Sequence, residues 1–333
     1  MVQARALTGS ALLLGLAWTC SPASGAAEGA VVASIKPVHS LVAGVMQGVG
    51  EPALLVKGAS SPHSYSLRPS DARALEEARV VFWIGEGLET YLAKPLQALA
   101  ATALVVPLSE AEGVRLLPAR AGGVWAGEGR TAAMPAEDAG GAEGEHGHGH
   151  GRFDSHIWLD PRNAEAMVDA IVTTLSEADP ANASVYRANG KELRGRLEEL
   201  DQTLSTQLAP VRDRPFVVFH DAYQYLEERY GLNALGTISV DPGRRPGARR
   251  LAAIRRELAE LDAACVFAEP QFEPALVESV IESTNARKGV LDPLGADLEA
   301  GPEQYFQLMS GLARSLLECL EEPGNSTHVE GER

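Results

Sequence analysis

Phe216-Val217-Val218-Phe219-His220-Asp221 is the most telling stretch of the chain. Four apolar residues in a row leave no polar face, so residues 216–219 read as a strand buried on both sides. An imidazole and a carboxylate close it. A helix-favouring stretch follows at 222–230, then a second apolar run at 234–238. The alternation continues with helices expected at 248–261, 274–285 and 302–320, and strands at 264–268 and 289–291. It is also present upstream. Residues 31–35, 53–56, 80–84 and 103–106 read as buried strands, with helix-like stretches at 40–46 and 70–78 between them. In the latter, Ser70 and Asp71 are placed to cap the first turn. Strands alternating with helices indicate an α/β fold with largely parallel sheets.

Two such regions are separated by a different kind of sequence. Residues 109–152 are rich in Gly, Ala and Glu, lack periodicity, and end in Glu145-His146-Gly147-His148-Gly149-His150. They read as a mobile surface loop. Structure is expected to resume at His156-Ile157-Trp158-Leu159, with a helix at 161–177. After Asp179-Pro180 comes one long charged stretch, 181–208, in which Leu193, Leu197, Leu200 and Leu204 are spaced 4, 3 and 4 apart. This places a single apolar stripe on a helix. Gly190 and Gly195 weaken that helix without forbidding it. The expected architecture is therefore two Rossmann-like α/β lobes, 28–178 and 212–322, joined by a long backbone helix within 179–211. A ligand cleft is expected between them, and a disordered tail at 323–333.

Composition narrows the function classes. The chain has 333 residues, 45% of them hydrophobic, and a formal charge of -16. The acidity argues against nucleic acid, whose phosphates require a basic surface. At the N-terminus, Arg5 precedes a short apolar run at 11–18 and small residues at 21–27. That is the layout of a secretory signal peptide over residues 1–27. Its removal leaves an exported chain with no membrane-span candidate. Cys20 raises the alternative of a lipid anchor, although Trp18 and Thr19 fit a lipoprotein signal poorly. Cys265 and Cys319 are the remaining cysteines; export favours a disulfide between them, and two separate buried thiols are the alternative.

The histidines carry the chemistry. His220 sits at the carboxyl end of an expected strand, where ligands bind in open α/β sheets. His63 lies in a Ser-Pro-His-Ser turn after the 53–56 strand, and His156 stands at the mouth of the 109–152 loop. Three imidazoles with an open or oxygen-filled fourth position suit zinc. No two of them form a short His-x-x-x-His motif. Taken singly, each reads more readily as a capping or packing histidine than as a ligand, as does His39. Asp292, after the 289–291 strand, is a candidate fourth ligand or a cap of its own Asp292-Pro293 turn. His146, His148 and His150 make a weak auxiliary metal cluster, because ordering a glycine-rich loop costs entropy.

Five separated segments resemble one family in order. They are Ser61-Pro62-His63-Ser64-Tyr65 within residues 58–71, Ser155-His156-Ile157-Trp158-Leu159-Asp160-Pro161, Phe219-His220-Asp221-Ala222-Tyr223, Leu291-Asp292-Pro293-Leu294-Gly295, and the cysteine pair. Over residues 30–321 the chain resembles the zinc solute-binding proteins of ABC importers, the ZnuA type. The resemblance implies a periplasmic, monomeric zinc-binding protein that hands Zn2+ to an ABC permease, with His63, His156 and His220 as ligands and Cys265–Cys319 as a disulfide. Related manganese and iron binders carry a carboxylate where His220 stands, and imidazole favours zinc. Some zinc members offer a glutamate just before the first ligand; Pro62 occupies that place here, leaving Asp292 or water as fourth ligand. The resemblance also implies no catalysis. A hydrolase would need a base such as Asp221, Asp292, Glu86 or Glu269, and none lies in a hydrolase motif. A surface adhesin on the same scaffold is the remaining alternative.

Overall fold

The computed structural model describes residues 31–120, 153–239, 248–261, 263–282 and 284–321. The expected signal segment with Cys20, the histidines His146, His148 and His150, and the tail 323–333 lie outside the described residues. The first lobe runs β1 (Val31–Ala33), α1 (Lys36–Val45), β2 (Ala53–Leu54), α2 (Pro69–Glu77), β3 (Val80–Trp83), α3 (Ala93–Leu99) and β4 (Leu104–Pro107). α4 (Pro161–Ala178) and α5 (Ala183–Leu208) follow. The second lobe comprises β5 (Phe216–His220), α6 (Gln224–Tyr230), β6 (Ala234–Ser239), α7 (Ala248–Leu261), β7 (Cys265–Ala268), α8 (Pro274–Ile281), β8 (Arg287–Val290) and α9 (Gln304–Leu320). The sheets have the orders β2-β1-β3-β4 and β6-β5-β7-β8, and every neighbouring pair is parallel.

The apolar runs are continuous because both faces of each sheet are covered. Val32 and Val81 point into an outer core with Leu75 and Leu96, whereas Ala33 and Phe82 point into a central core. Likewise Val217 and Phe219 face the outer core of the second lobe, and Phe216 and Val218 the central one. Successive strand residues alternate faces, so a strand between two cores must be apolar throughout. The central core spans both lobes. It is built around α5, which packs on α1, α4 and α9 through the buried Leu193, Leu197, Leu200 and Leu204. Asp201 is buried on the same helix, where it accepts from Arg229 Nε at 2.9 Å and the Tyr230 hydroxyl at 3.1 Å. The disulfide Cys265–Cys319 ties β7 to α9.

Several boundaries differ from the sequence reading. α3 is unanticipated, because a seven-residue segment containing Pro95 has no helical periodicity to detect. In α2 only Asp71 caps, accepting from Arg68 N at 2.8 Å; the Ser70 hydroxyl instead donates to Asp71. Residues 109–120 are not part of a mobile loop: Leu117 is buried, and Pro118 bridges Phe153 antiparallel. Glu89 is fully buried, accepting from Ser34 Oγ, Ile84 N and Gly85 N. Burial pushes its carboxyl up to about 7, against the lowering effect of these donors.

A Cβ on Gly190 would meet Val172 Cγ2 at 2.3 Å, so this glycine lets α4 and α5 close together, whereas nothing lies within 4 Å of one on Gly195. Gly190→Ala is expected to destabilise by about 1–3 kcal/mol and Gly195→Ala to stabilise by about 0.5–1 kcal/mol, as measured by urea unfolding. Glu89 is raised from 4.5, so its protonation favours the folded state. That contribution is complete below the unfolded value and is lost as pH rises through about 7. The melting temperature of Glu89→Gln relative to the parent is expected to rise between pH 5 and pH 8.

Candidate metal site

Each histidine reaches the interlobe cleft from a strand end or an adjoining turn. His63 belongs to the turn after β2, where its backbone N–H donates to Ser61 Oγ at 3.3 Å. His156 precedes a single 3-10 turn, Ile157–Leu159, whose three side chains are fully buried. This turn is locked across the cleft: Trp158 Nε1 donates to the Pro293 carbonyl at 2.8 Å, and the Tyr305 hydroxyl to the Trp158 carbonyl at 2.7 Å. His220 is the last residue of β5.

The three rings converge. Their centroids are 5.2–5.6 Å apart, and one ligand atom from each lies within 4.8 Å of the others. His156 Nε2 is 3.2 Å from His63 Nε2 and 3.4 Å from His220 Nε2. Two rings are oriented by buried carboxylates. Asp154 Oδ1 receives His156 Nδ1 at 2.7 Å and His156 N at 3.0 Å. Glu269 Oε1 receives His220 Nδ1 at 2.7 Å and His220 N at 3.2 Å. A carboxylate only accepts, so the hydrogen bond assigns the proton to Nδ1 and leaves the Nε2 lone pair pointing inward. Burial alone would lower the His220 pKa; the charge and hydrogen bond of Glu269 outweigh it and raise the net value.

Asp154 is in turn held from the second lobe. Its carbonyl accepts from the Tyr225 hydroxyl of α6 at 2.7 Å, and the same hydroxyl oxygen accepts from Leu117 N at 3.0 Å. Arg120 forms ion pairs with Asp221 and Glu227, and Arg115 with Glu228. The stem formed by residues 115–120 and 153–154 is therefore strapped onto α6. A segment lacking periodicity is ordered by partners a hundred residues away.

Asp292 takes its other role. Its carboxylate accepts from Gln271 Nε2 at 2.8 Å, Leu294 N at 3.0 Å and Ala296 N at 2.5 Å, and it is outside the histidine group. It caps its own turn. Sequence reasoning missed Asp154 altogether and weighed Glu269 only as a base. Their signal is faint: an acid two residues before His156, and an acid directly after β7, beside the strand that ends in His220. The other weighed carboxylates are not at the centre: Asp221 pairs with Arg120 and Glu86 is exposed.

The rings and the side chains of Pro62, Trp158, Phe272 and Leu294 enclose a cavity of about 10 Å³, near the minimum for one water-sized sphere. Such a space accepts a single ion rather than an organic substrate. No described helix is long and apolar enough to cross a membrane. Comparison with known proteins agrees with this chemistry. The family model described as zinc-uptake complex component A, periplasmic, matches residues 31–319. A high-affinity zinc uptake system protein ZnuA from Brucella abortus strain 2308 is 47% identical, over 90% of this chain and 94% of its own. Its counterpart from Yersinia pestis is 36% identical over 95% and 97%. A crystal structure of a zinc-bound ZnuA deletion mutant superposes with a TM-score of 0.69 at 26% identity, covering 88% of this chain and 98% of that one. With its two parallel-sheet lobes and a triad of imidazoles between them, the chain belongs to the ZnuA family of periplasmic zinc-uptake components.

Proposed function

We propose that the chain binds Zn2+ through His63, His156 and His220 and delivers it, as a periplasmic monomer, to the permease of an ABC-type zinc importer. One observation carries the reading. Zinc bound by imidazole at about 2.0–2.1 Å in tetrahedral geometry places its nitrogen ligands about 3.3–3.4 Å apart. The Nε2 separations of 3.2 and 3.4 Å already have that spacing. Two lone pairs oriented by carboxylates would repel one another at this distance without a cation or a proton between them. The all-nitrogen set, with His220 where an oxygen ligand would favour manganese, supports zinc. The names of the relatives, zinc uptake proteins, support it independently.

Binding without chemistry is the reading the carboxylates support. Glu269 Oε1 is taken up in orienting His220, Asp154 in orienting His156, and Asp292 in its turn. Delivery by this chain requires reversible capture, and protons are the natural competitor of three neutral imidazoles.

His63→Ala, His156→Ala and His220→Ala are each expected to weaken zinc binding by more than the roughly 10–100-fold that loss of an outer partner costs. Calorimetry with unchanged affinity in all three would remove the assignment. Acid is expected to release the ion. Because the His220 pKa in the metal-free protein is raised above 6.5, proton competition begins above that value and strengthens as pH falls. Zinc affinity measured against a chelator from pH 8 to pH 5 should decline through that range, and Glu269→Gln should move the onset to lower pH.

A further inference from the structure

Gln271 lies two residues beyond Glu269, and its side chain lines the cavity that holds the three imidazoles. Its Nε2 donates to Asp292 Oδ1 at 2.8 Å. A carboxylate only accepts, so this bond settles which end of the amide faces Asp292. The other end, Oε1, is shut off from solvent and has no hydrogen-bond partner among the described residues. Asp292 does not line the imidazole cavity; it opens on a separate cleft with Asp297 and Leu298. Gln271, unlike Asp292, lines the imidazole cavity, and its amide oxygen is the end that Asp292 does not engage. A buried acceptor without a donor is destabilising and calls for a ligand or water that supplies one.

The support of Gln271 is rigid. Asp292 is pinned by the Leu294 and Ala296 amides. The same turn is clamped from the other lobe by Lys36 of α1, whose Nζ donates to the carbonyls of Gly295, Ala296 and Leu298 at 2.9, 2.6 and 2.8 Å. For Asp292 to advance to an ion between the histidines, it would have to surrender its two amide donors and Gln271.

We propose that Gln271 completes the zinc site from outside the coordination shell. Its Oε1 accepts a hydrogen bond from a water on the fourth position of the ion, and Asp292 is a positioning residue that acts through Gln271. The inference rests on the zinc-capture reading above. A zinc-bound water is strongly polarised and a strong donor, matched by a fixed neutral acceptor. Holding the carboxylate one residue away also leaves nitrogen as the main protein donor to the ion, which disfavours manganese.

The test measures Zn2+ affinity by chelator competition and the visible absorption of the Co2+-loaded protein, whose bands respond to the fourth ligand. Gln271→Met keeps the length but has no amide oxygen. It is expected to weaken Zn2+ about tenfold, at the lower end for an outer partner, and to shift the Co2+ bands. Asp292→Asn should weaken binding in the parent but add nothing in the Gln271→Met background, as expected for two residues acting in series. Gln271→Leu is a second variant with the same expectation, and thermal unfolding of the metal-free proteins separates folding from ligation. Equal losses from Asp292→Asn in both backgrounds would identify Asp292 as a direct ligand and overturn the inference. So would a Gln271→Met protein with unchanged affinity and unchanged Co2+ bands. A parent protein that takes up neither ion would instead overturn the zinc-capture reading itself.

Discussion

An imidazole can offer an inward lone pair reliably only if its other nitrogen is held, and two buried carboxylates impose that condition here. Glu269 and Asp154 each grip a ring Nδ1 and the backbone N–H of the same histidine. Side chain and main chain are thereby fixed together, which removes the rotamer freedom that an ion would otherwise have to freeze out. The orientation of these two rings depends on these four bonds. The charge that orients His220 also raises its proton affinity.

The surrounding fold keeps those carboxylates in place from across the cleft. Asp154 belongs to the stem that leads to His156, yet it is held by Tyr225 of α6 in the second lobe. Glu269 follows β7, beside β5, so parallel pairing sets it next to His220. The lobes share one core through α5, with α1, α4 and α9 packed around it. Lys36 and Ser40 of α1 extend this join, bonding to the 295–298 turn and to the Pro302 carbonyl. Polar bonds and apolar packing thus oppose large hinge motion, and capture would rely on small local shifts near His63, the least buried of the three.

The turn carrying Asp292 is close enough to communicate with the site through Gln271, yet its clamp by Lys36 keeps the carboxylate on its own backbone. If Gln271 holds a zinc-bound water as proposed, metal preference would depend on this supporting turn as well as on the imidazole at position 220.

By itself the sequence determined the two parallel-sheet lobes, the long α5 and the three histidines. Short apolar runs bounded by turn residues fit strands covered on both faces, and leucines spaced 4, 3 and 4 fit one helical stripe. Those are local patterns, legible without contacts; the grouping of His63, His156 and His220 needed the family resemblance, since they are up to 157 positions apart. Tertiary structure alone decided the rest. It assigned Asp154 and Glu269 to orient the rings, turned Asp292 into a cap, ordered residues 115–120 against α6, and made Gly190 the close contact of α4 and α5. The physical reason is common to all four. Whether a polar or small residue orients, caps or packs is set by the partner placed beside it, and that partner comes from a distant part of the chain.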